Sequence, residues 1–256
     1  MTEGRPSGTP ERLNRYLSRA GVGSRRRADE LVAAGRVAID GVTVVKLATL
    51  VDPARDTVTL DGRPLKPPDE APVWIVFNKP VGTLTARRDA RGRTTIFDHL
   101  PTEWHRLIPV GRLDYDTEGV ILLTSDGDGA NRLMHPRYEV ERVYEAVIAG
   151  VPTAAELGRL AVGIDLGDRT LAHANVTVMR RQRDQCTVRV LLREGRKREV
   201  KRLMLAIGHR VSDLKRVSFA GVTARGLKPG QWRRLTAAEI RRLTGRFVRQ
   251  AHLPES

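Results

Sequence analysis

Three acidic side chains alternate within one short polar segment of the chain. The segment has the sequence VGRLDYDTEG at positions 110–119 and contains Asp114, Asp116 and Glu118. This spacing, with a glycine in the sixth place, is typical of calcium-binding loops, and around a metal ion the same acids would suit a metal-dependent nuclease. A calcium loop also needs a bidentate carboxylate in its twelfth place, where this chain has Ser125. The other interpretation is a solvated turn whose acids balance nearby arginines.

Basic side chains outnumber acidic ones over the whole chain. The 256 residues include 45 Lys and Arg against 30 Asp and Glu, a formal net charge of +15. Such a field favours polyanionic partners, and nucleic acid is the first of these. An Arg-rich proteome would give the same balance without any functional meaning, so the positions of the charges must decide.

Several classes of protein are disfavoured by what the sequence lacks. No stretch approaches the run of about 18 apolar residues that a membrane helix needs, and the N-terminus has no signal-peptide pattern. The single cysteine, Cys186, cannot form an intrachain disulfide, and the six histidines are too scattered for a metal site. We therefore expect a cytoplasmic protein without membrane contact, disulfide or bound metal.

Two short helices are predicted after a polar, flexible tail at residues 1–10. Apolar residues recur at helical spacing from Leu13 to Ala20 and stop at Gly21, which favours a C-cap. Ser24 can cap a second helix whose first turn carries three arginines. Because arginines oppose the positive end of the helix dipole, a phosphate partner explains them better than folding does. They are Arg25, Arg26 and Arg27.

Turn signals follow the helices. Asp40-Gly41 lies between short apolar stretches and predicts a hairpin, and Asp61-Gly62 predicts a second turn. The stretch 66–72, rich in proline, then predicts an interdomain linker.

The segment RLNRYLSRAGVGSRRRADELVAAGRVAIDGVTV resembles the RNA-binding domain first seen in the fourth small-subunit ribosomal protein. The resemblance implies an RNA-binding domain over residues 11–70, in which two helices and a turn present arginines to RNA. Their contacts would be mainly to phosphates, which position the RNA without reading its sequence. The implied contact residues are Arg12, Arg15, Arg25, Arg26, Arg27 and Arg36.

The remainder of the chain alternates strands and helices. A final short helix is expected at 236–243, before a basic tail at 246–256. Strands are predicted at 73–77, 119–124, 142–149, 173–180 and 186–192, and apolar residues between 194 and 208 fall at helical spacing.

The segment GRLDYDTEGVILLTSDGDGANRLMHPRYEVERVY is similar to the signature of ribosomal-RNA pseudouridine synthases of the small-subunit type. FNKPVG at 77–82, RVY at 142–144 and EGRKREVKRLM at 194–204 resemble further motifs of that family. The resemblance implies an α+β chain: a small helical and hairpin RNA-binding domain, then a catalytic domain at 73–245 with a mostly antiparallel mixed sheet flanked by helices.

The resemblance also implies roles for individual residues. Asp114 is the expected nucleophile, Arg112 precedes it in the motif, and Tyr144 would stack on a flipped uracil. Lys201 is the expected salt-bridge partner of Asp114, with Arg198 in reserve. Further RNA contacts are expected from Arg142, Arg196 and Arg198. Two positions depart from the family pattern: Arg142 replaces lysine, and Glu199 stands where glutamine is commoner.

The implied reaction, uridine to pseudouridine, is an isomerisation and needs no cofactor. A carboxylate can attack the sugar or remove a sugar proton, and the sequence leaves both routes open. The expected partner is ribosomal RNA or an assembling ribosomal subunit, with the target base unpaired because flipping then costs less. The arginine-rich C-terminus favours the large subunit over the small, and we expect a monomer. The alternative is a non-catalytic RNA-binding factor in ribosome assembly.

Overall fold

The computed structural model describes residues 9–66, 71–167 and 171–250, and it divides the chain into two compact units, Met1–Ala71 and Pro72–Ser256. The division falls within the stretch whose prolines predict a linker. Three parts of the sequence-based predictions lie outside the described residues: residues 1–8 of the tail, 67–70 of the linker, and 251–256 at the C-terminus.

The first unit combines two helices with short strands. Its elements are β1 Glu11–Arg12, α1 Leu13–Arg19, α2 Arg25–Ala33, β2 Val37–Ile39, β3 Val42–Val44, β4 Leu50–Val51, β5 Val58–Leu60 and β6 Arg63–Leu65. Four of these strands form one sheet in the order β3-β2-β5-β6, and the other two, β1 and β4, pair with each other. Leu13 and Leu17 of α1 are buried with Val37 of β2 and Val58 of β5, so one apolar core joins both helices to the sheet.

Local sequence explains the boundaries of these elements. Ser24 Oγ accepts a hydrogen bond from the Arg27 amide at 3.2 Å, which confirms the predicted N-cap of α2. The predicted hairpin is also confirmed, with its turn at Asp40-Gly41, and the second predicted turn, Asp61-Gly62, connects the paired strands β5 and β6. All four turn residues have positive φ, as the preferred two-residue hairpin turn requires.

The second unit is built on one large sheet. Its strands are β7 Trp74–Lys79, β8 Ile108–Val110, β9 Glu118–Thr124, β10 Arg142–Ala149, β11 Ile164–Asp165, β12 Leu171–Ala172, β13 Asn175–Arg181, β14 Gln185–Leu192, β15 Val211–Phe219, β16 Val222–Thr223 and β17 Trp232–Arg234. Its α-helices are α3 Gly127–Met134, α4 Ala154–Val162, α5 Glu199–Ala206 and α6 Ala237–Gln250. Short 3-10 helices occupy Ile96–His99, Thr102–Arg106 and Pro136–Tyr138.

The strands of the large sheet run in the order β13-β14-β10-β15-β9-β7-β17, with β8 paired to β9 and β16 to β15. Pairing is antiparallel throughout the described sheet except between β9 and β15, which are parallel. The mixed, mostly antiparallel sheet expected from the sequence is therefore confirmed. No helix in the described part of the chain is long and apolar enough to cross a membrane.

Both faces of the central strands are covered. Val76 of β7 packs in a core with Leu133 of α3, whereas its neighbour Phe77 packs in a second core with Trp104 of a 3-10 helix. Because successive side chains of a strand point to opposite faces, a strand covered on both faces needs an unbroken apolar run. The run at 73–77 is the reason that the sequence predicts this strand so clearly.

Several elements of the second unit differ from the sequence-based expectation. Strand β15 and helices α3 and α4 were not predicted, and α6 continues to Gln250 rather than ending at 243. In β15 the sequence VSDLKRVSF places charged side chains among the apolar ones, which obscures its alternation. Yet β15 lies in the middle of the sheet, between β10 and β9.

Candidate active site

A pocket of about 380 Å³ lies in the second unit over the sheet. Its floor includes side chains of β10, β14 and β15, and its walls are the loop that leads into β9 and the segment that begins α5. Asp114 and Tyr144 both line it. Asp114 and Tyr144 meet because β15 lies in the sheet between β10, which carries Tyr144, and β9, which follows the Asp114 loop.

Asp114 is half-buried at the wall of the pocket. Its carbonyl oxygen accepts a hydrogen bond from the Thr117 amide at 3.1 Å, which closes a tight turn. The residues on either side are fixed to another loop: Leu113 exchanges hydrogen bonds with Thr85 Oγ1 at 3.1 and 3.2 Å, and the Tyr115 carbonyl accepts from the Gly82 amide at 2.8 Å. The backbone that carries the Asp114 carboxylate is therefore held at several points.

Lys79, at the end of β7, is hydrogen-bonded to the backbone of the same turn. Its side chain is fully buried, and Nζ donates hydrogen bonds to the carbonyl oxygens of Thr117 at 2.7 Å and Pro80 at 2.9 Å. Burial lowers the pKa of Lys79 to about 8, although the carboxylates of Asp116, Asp114 and Glu118 act in the opposite direction. The sequence analysis did not single out Lys79; its only signal is a lysine that ends an apolar strand.

Lys201 is placed differently from the expectation that it pairs with Asp114. Its Nζ lies 2.6 Å from Asp116 Oδ1, and within the described chain no ion pair of 4.0 Å or less involves Asp114. The expected Lys201–Asp114 pair is therefore wrong in this structure, as is the reserve pair with Arg198. The hydrogen bond from Lys201 lowers the pKa of Asp116. Lys201 on α5 thus neutralises the carboxylate of Asp116, two residues after Asp114.

The three alternating acids do not share a ligand site. Asp116 faces Lys201, while Glu118 Oε1 lies 2.9 Å from Nζ of Lys215 on β15. Asp114 faces the pocket. Because each carboxylate has its own surroundings, this arrangement gives the cation-loop interpretation no support.

Tyr144 belongs to the sheet floor. It lies on β10 with Val190 of β14 on one side and Arg216 of β15 on the other. Its side chain is 9% exposed, and that exposure is toward the pocket that it lines. An aromatic ring so placed offers a stacking surface to a planar ligand.

Arg142, expected to contact RNA, is buried instead. Its guanidinium donates to the carbonyl oxygens of Val140 at 2.6 Å, Arg193 at 3.3 Å and Leu133 at 3.4 Å, and its central carbon lies 5.2 Å from the ring centre of Phe219. Burial lowers its pKa from the ordinary arginine value. These N–H groups are directed at the protein's own backbone, although Arg142 also lines the pocket, so its contact with RNA stays a prediction.

Other cations surround the mouth of the pocket. Arg112 and Arg198 are exposed, and Arg196 is half-buried, with Nε 2.6 Å from Glu194 Oε2. Beneath them Glu199 is 4% exposed, and its Oε2 accepts from the Arg196 amide at 3.0 Å. Burial raises the pKa of Glu199. The mouth of the pocket is therefore strongly positive.

The six arginines of the first unit that were expected to contact RNA differ in their exposure and in their ion pairs. Arg12, Arg25, Arg26 and Arg27 are exposed, and the last three form the first turn of α2 as expected. Three of these arginines are engaged in ion pairs: Arg15 with the buried Glu11 at 3.0 Å, Arg27 with Glu30 at 2.8 Å, and Arg36 with Asp61 through two hydrogen bonds. The first turn of α2 thus presents three consecutive exposed arginines.

A sequence model of the family described as RNA pseudouridylate synthase matches residues 73–206, which include the pocket loop, Tyr144 and Lys201. The chain belongs to this family. A model of the S4 domain matches residues 11–58 of the same synthase, so the RNA-binding domain expected from the sequence is also confirmed.

Relatives and a solved structure agree with this assignment. The synthase is 40% identical over 233 residues to an RNA pseudouridine synthase of Aquifex aeolicus, covering 91% of this chain and 93% of the relative. It is 40% identical over 235 residues to a ribosomal large subunit pseudouridine synthase B of Bacillus subtilis, covering 91% and 95%. A crystal structure of a pseudouridylate synthase superposes with a TM-score of 0.66 at 27% identity, covering 91% of this chain and 99% of that one.

Proposed function

We propose that this synthase converts one uridine of large-subunit ribosomal RNA to pseudouridine in the cytoplasm, with Asp114 as the group that acts on the ribose. The observation that carries the proposal is the pocket in which Asp114 and Tyr144 meet. The choice of RNA is supported by the 40% identity to the Bacillus subtilis relative, whose name specifies the large ribosomal subunit.

The chemistry requires a carboxylate at the sugar and room for the base to turn. The bond between ribose C1′ and uracil N1 breaks, the detached ring rotates, and a bond forms between C1′ and ring carbon C5. The C5 proton leaves and N1 gains a proton, so atoms and electrons balance without a redox partner. Asp114 either attacks C1′ or removes the C2′ proton, and both routes use the same carboxylate.

The surroundings of Asp114 suit this role. Like charges nearby disfavour an ionised carboxylate, and Asp116 is such a neighbour. The Lys201–Asp116 pair at 2.6 Å compensates that charge. Lys79 fixes the turn through Thr117, so the carboxylate is positioned before substrate arrives. Tyr144 stacks on the uracil ring and defines the width of the pocket.

RNA binding divides between the two units. The exposed arginines of the α2 turn contact phosphates and supply affinity, while Arg112, Arg196 and Arg198 guide the backbone at the mouth of the pocket. A base reaches the pocket only when it leaves its stack, which costs a few kcal/mol and less for an unpaired base. The target uridine therefore lies in a loop, bulge or junction.

The test is a pseudouridine map of ribosomal RNA from cells whose only copy of this protein is native or Asp114→Asn. One large-subunit uridine loses its modification in the variant, because an amide neither attacks the sugar nor accepts its proton. Asp213→Asn, the same change at an exposed position of β15, leaves the map unaltered. If the Asp114→Asn map equals the native one, the protein is a non-catalytic assembly factor; if the lost site lies in the small subunit, the choice of substrate is wrong.

A further inference from the structure

Arg216 is a buried cation on the floor of the pocket that the sequence analysis did not identify. It lies on β15, its side chain is 3% exposed, and it lines the same pocket as Asp114. It is the register partner of Tyr144 across the β10–β15 pair. Directly opposed residues of neighbouring strands place their side chains on the same face. Arg216 and Tyr144 therefore present adjacent surfaces to whatever occupies the pocket.

The guanidinium of Arg216 is only partly engaged by the protein. Its Nε donates to the Val120 carbonyl oxygen at 2.7 Å, and its central carbon lies 4.9 Å from the ring centre of Phe219. Its Nη2 is buried and has no hydrogen-bond partner among the described residues. These contacts fix the side chain at its Nε edge and leave the other end with unused donors.

Arg142, which lines the same pocket, has a guanidinium that is more fully engaged by the protein. Its guanidinium also lies against Phe219, at 5.2 Å, but both of its Nη atoms donate to backbone carbonyl oxygens. The two side chains are thus chemically identical but differ in their hydrogen bonds. Arg142 donates its Nη hydrogen bonds to the protein's own backbone, whereas Nη2 of Arg216 has no acceptor among the described residues.

A buried charged donor without a partner is costly, by about 1–3 kcal/mol or more. Native proteins seldom keep such groups, and each one that they keep calls for an explanation, such as a catalytic role. Phosphates of a flipped nucleotide stay at the mouth of the pocket, outside the base. The acceptor that reaches the floor beside Tyr144 is therefore an oxygen of the base itself.

We propose that Arg216 donates a hydrogen bond to a carbonyl oxygen of the flipped uracil and stabilises the negative charge that the ring carries while it is detached from the ribose. The proposal rests on the proposed function, in which Asp114 acts on the ribose in this pocket. When the C1′–N1 bond breaks, its electron pair stays on N1 and spreads onto the ring carbonyl oxygens. C5 then gives an electron pair to C1′ and loses its proton, and N1 is protonated. Arg216 keeps its own protons throughout.

The physical basis is electrostatic preorganisation. A fixed cationic donor in a water-poor site stabilises charge that develops during the reaction more than it stabilises the neutral ground state. Removing one such donor typically lowers the rate by about 10²–10³-fold. Arg216 should accordingly affect the chemical step and contribute little to the affinity for RNA.

The test uses the full-length protein and a transcript of large-subunit ribosomal RNA that contains the modified uridine. Single-turnover rates and dissociation constants are measured for native protein, Arg216→Gln, Arg216→Lys and Arg216→Ala. Arg216→Gln loses about 10²-fold or more in rate with an unchanged dissociation constant, and Arg216→Lys loses less. Guanidinium ion, at concentrations well below those that unfold the protein, restores part of the Arg216→Ala rate. It does not accelerate Arg210→Ala, in which an exposed arginine next to β15 is removed.

Other outcomes overturn the proposal. Weaker RNA binding with an unchanged single-turnover rate would make Arg216 a phosphate contact, and a native rate in Arg216→Gln would remove it from the reaction. Equal loss in all three variants without guanidinium rescue, accompanied by a lower Tm, would give it a purely structural role. Asp114→Asn in the same assay separates the two proposals: if Asp114→Asn is inactive and the Arg216 variants are fast, only the role of Arg216 fails, whereas an active Asp114→Asn contradicts the proposed function.

Discussion

A single carboxyl group beneath the mouth of the pocket shows how burial changes the behaviour of a side chain. Glu199 is 4% exposed, and its Oε1 has no hydrogen-bond partner among the described residues. Burial raises its pKa because the charged form loses its hydration, while the Arg196 amide acts in the opposite direction. Protonated, Glu199 resembles the glutamine that is commoner at this place in the family pattern.

Replacement of Glu199 by glutamine should therefore stabilise the protein, and increasingly so as pH rises. The unfolded chain releases this proton near pH 4.5, whereas the folded protein keeps it to higher pH. Between these two pKa values the folded state binds more protons, so native stability falls as pH rises, and an amide has no such dependence. We expect equal Tm values for native and Glu199→Gln near pH 4 and a higher Tm for the variant at pH 7, where about 1 kcal/mol shifts Tm by roughly 2–4 °C.

Glu103→Gln, at an exposed position, should match native Tm at both pH values. A Tm difference that does not change with pH would show that Glu199 is ionised in the fold.

At the scale of elements, the parallel contact between β9 and β15 brings the Asp114 loop against the strand that carries Arg216. Gly119 and Arg216 are register partners there. A Cβ at Gly119 would lie 2.2 Å from the Arg216 carbonyl oxygen, and its φ of +111° is a conformation that residues with a side chain rarely adopt. The two strands can therefore approach this closely only with glycine at this position.

Gly119→Ala should destabilise the protein severely, by about 3 kcal/mol or more, because overpacking against backbone adds to an unfavourable φ. Urea unfolding at constant pH measures the change. Gly92→Ala is the matched control: its φ is +69°, but a Cβ there meets nothing within 4 Å, so only the conformational cost of about 1–2 kcal/mol remains. Equal losses in both variants would mean that the approach of β15 is not what demands a glycine at 119.

The elements also show how far the sequence can predict this protein. Strands buried on one or both faces, such as β7 and β14, have patterns that can be recognised directly, and so do the capped helix α2, the hairpin that follows it and the second turn. Strand β15 has no comparable pattern, because its buried positions include Arg216 as well as Leu214. A cation that is buried for a ligand breaks the apolar alternation by which strands are recognised.

The same reason limits prediction of the site. The motif around Asp114 identifies one wall of the pocket and the tyrosine of RVY identifies part of its floor, since both are local signals. Side chains that act through space, such as Lys79 under the turn and Arg216 on the floor, have no such signal. The spacing of residues in the sequence could not show that Lys201 pairs with Asp116 rather than with Asp114. Two acids that are two residues apart in a turn differ only in the direction of their side chains.

At the scale of the whole molecule, a formal charge of +15 acts on a polyanionic substrate, and the second unit carries +13 of it against +2 in the first. Each phosphate contact releases counterions, so the affinity for RNA depends on salt. The pocket also needs a base in place for chemistry, whereas the turn of α2 needs only backbone phosphates. Affinity and catalysis should therefore be separable by mutation.

Simultaneous replacement of Arg25, Arg26 and Arg27 by glutamine should weaken RNA binding without changing the rate at saturating RNA. The slope of log affinity against log salt should become shallower by about 0.7–0.9 for each phosphate contact that is lost. Filter binding from about 50 to 200 mM salt measures the slope, and single-turnover kinetics measures the rate.

The control removes three exposed arginines near the outer edge of the sheet, Arg180, Arg181 and Arg183, and so has the same net charge. If both triple variants change the slope equally, RNA responds to overall charge alone; if the α2 variant slows the saturated rate, this domain also positions the target uridine.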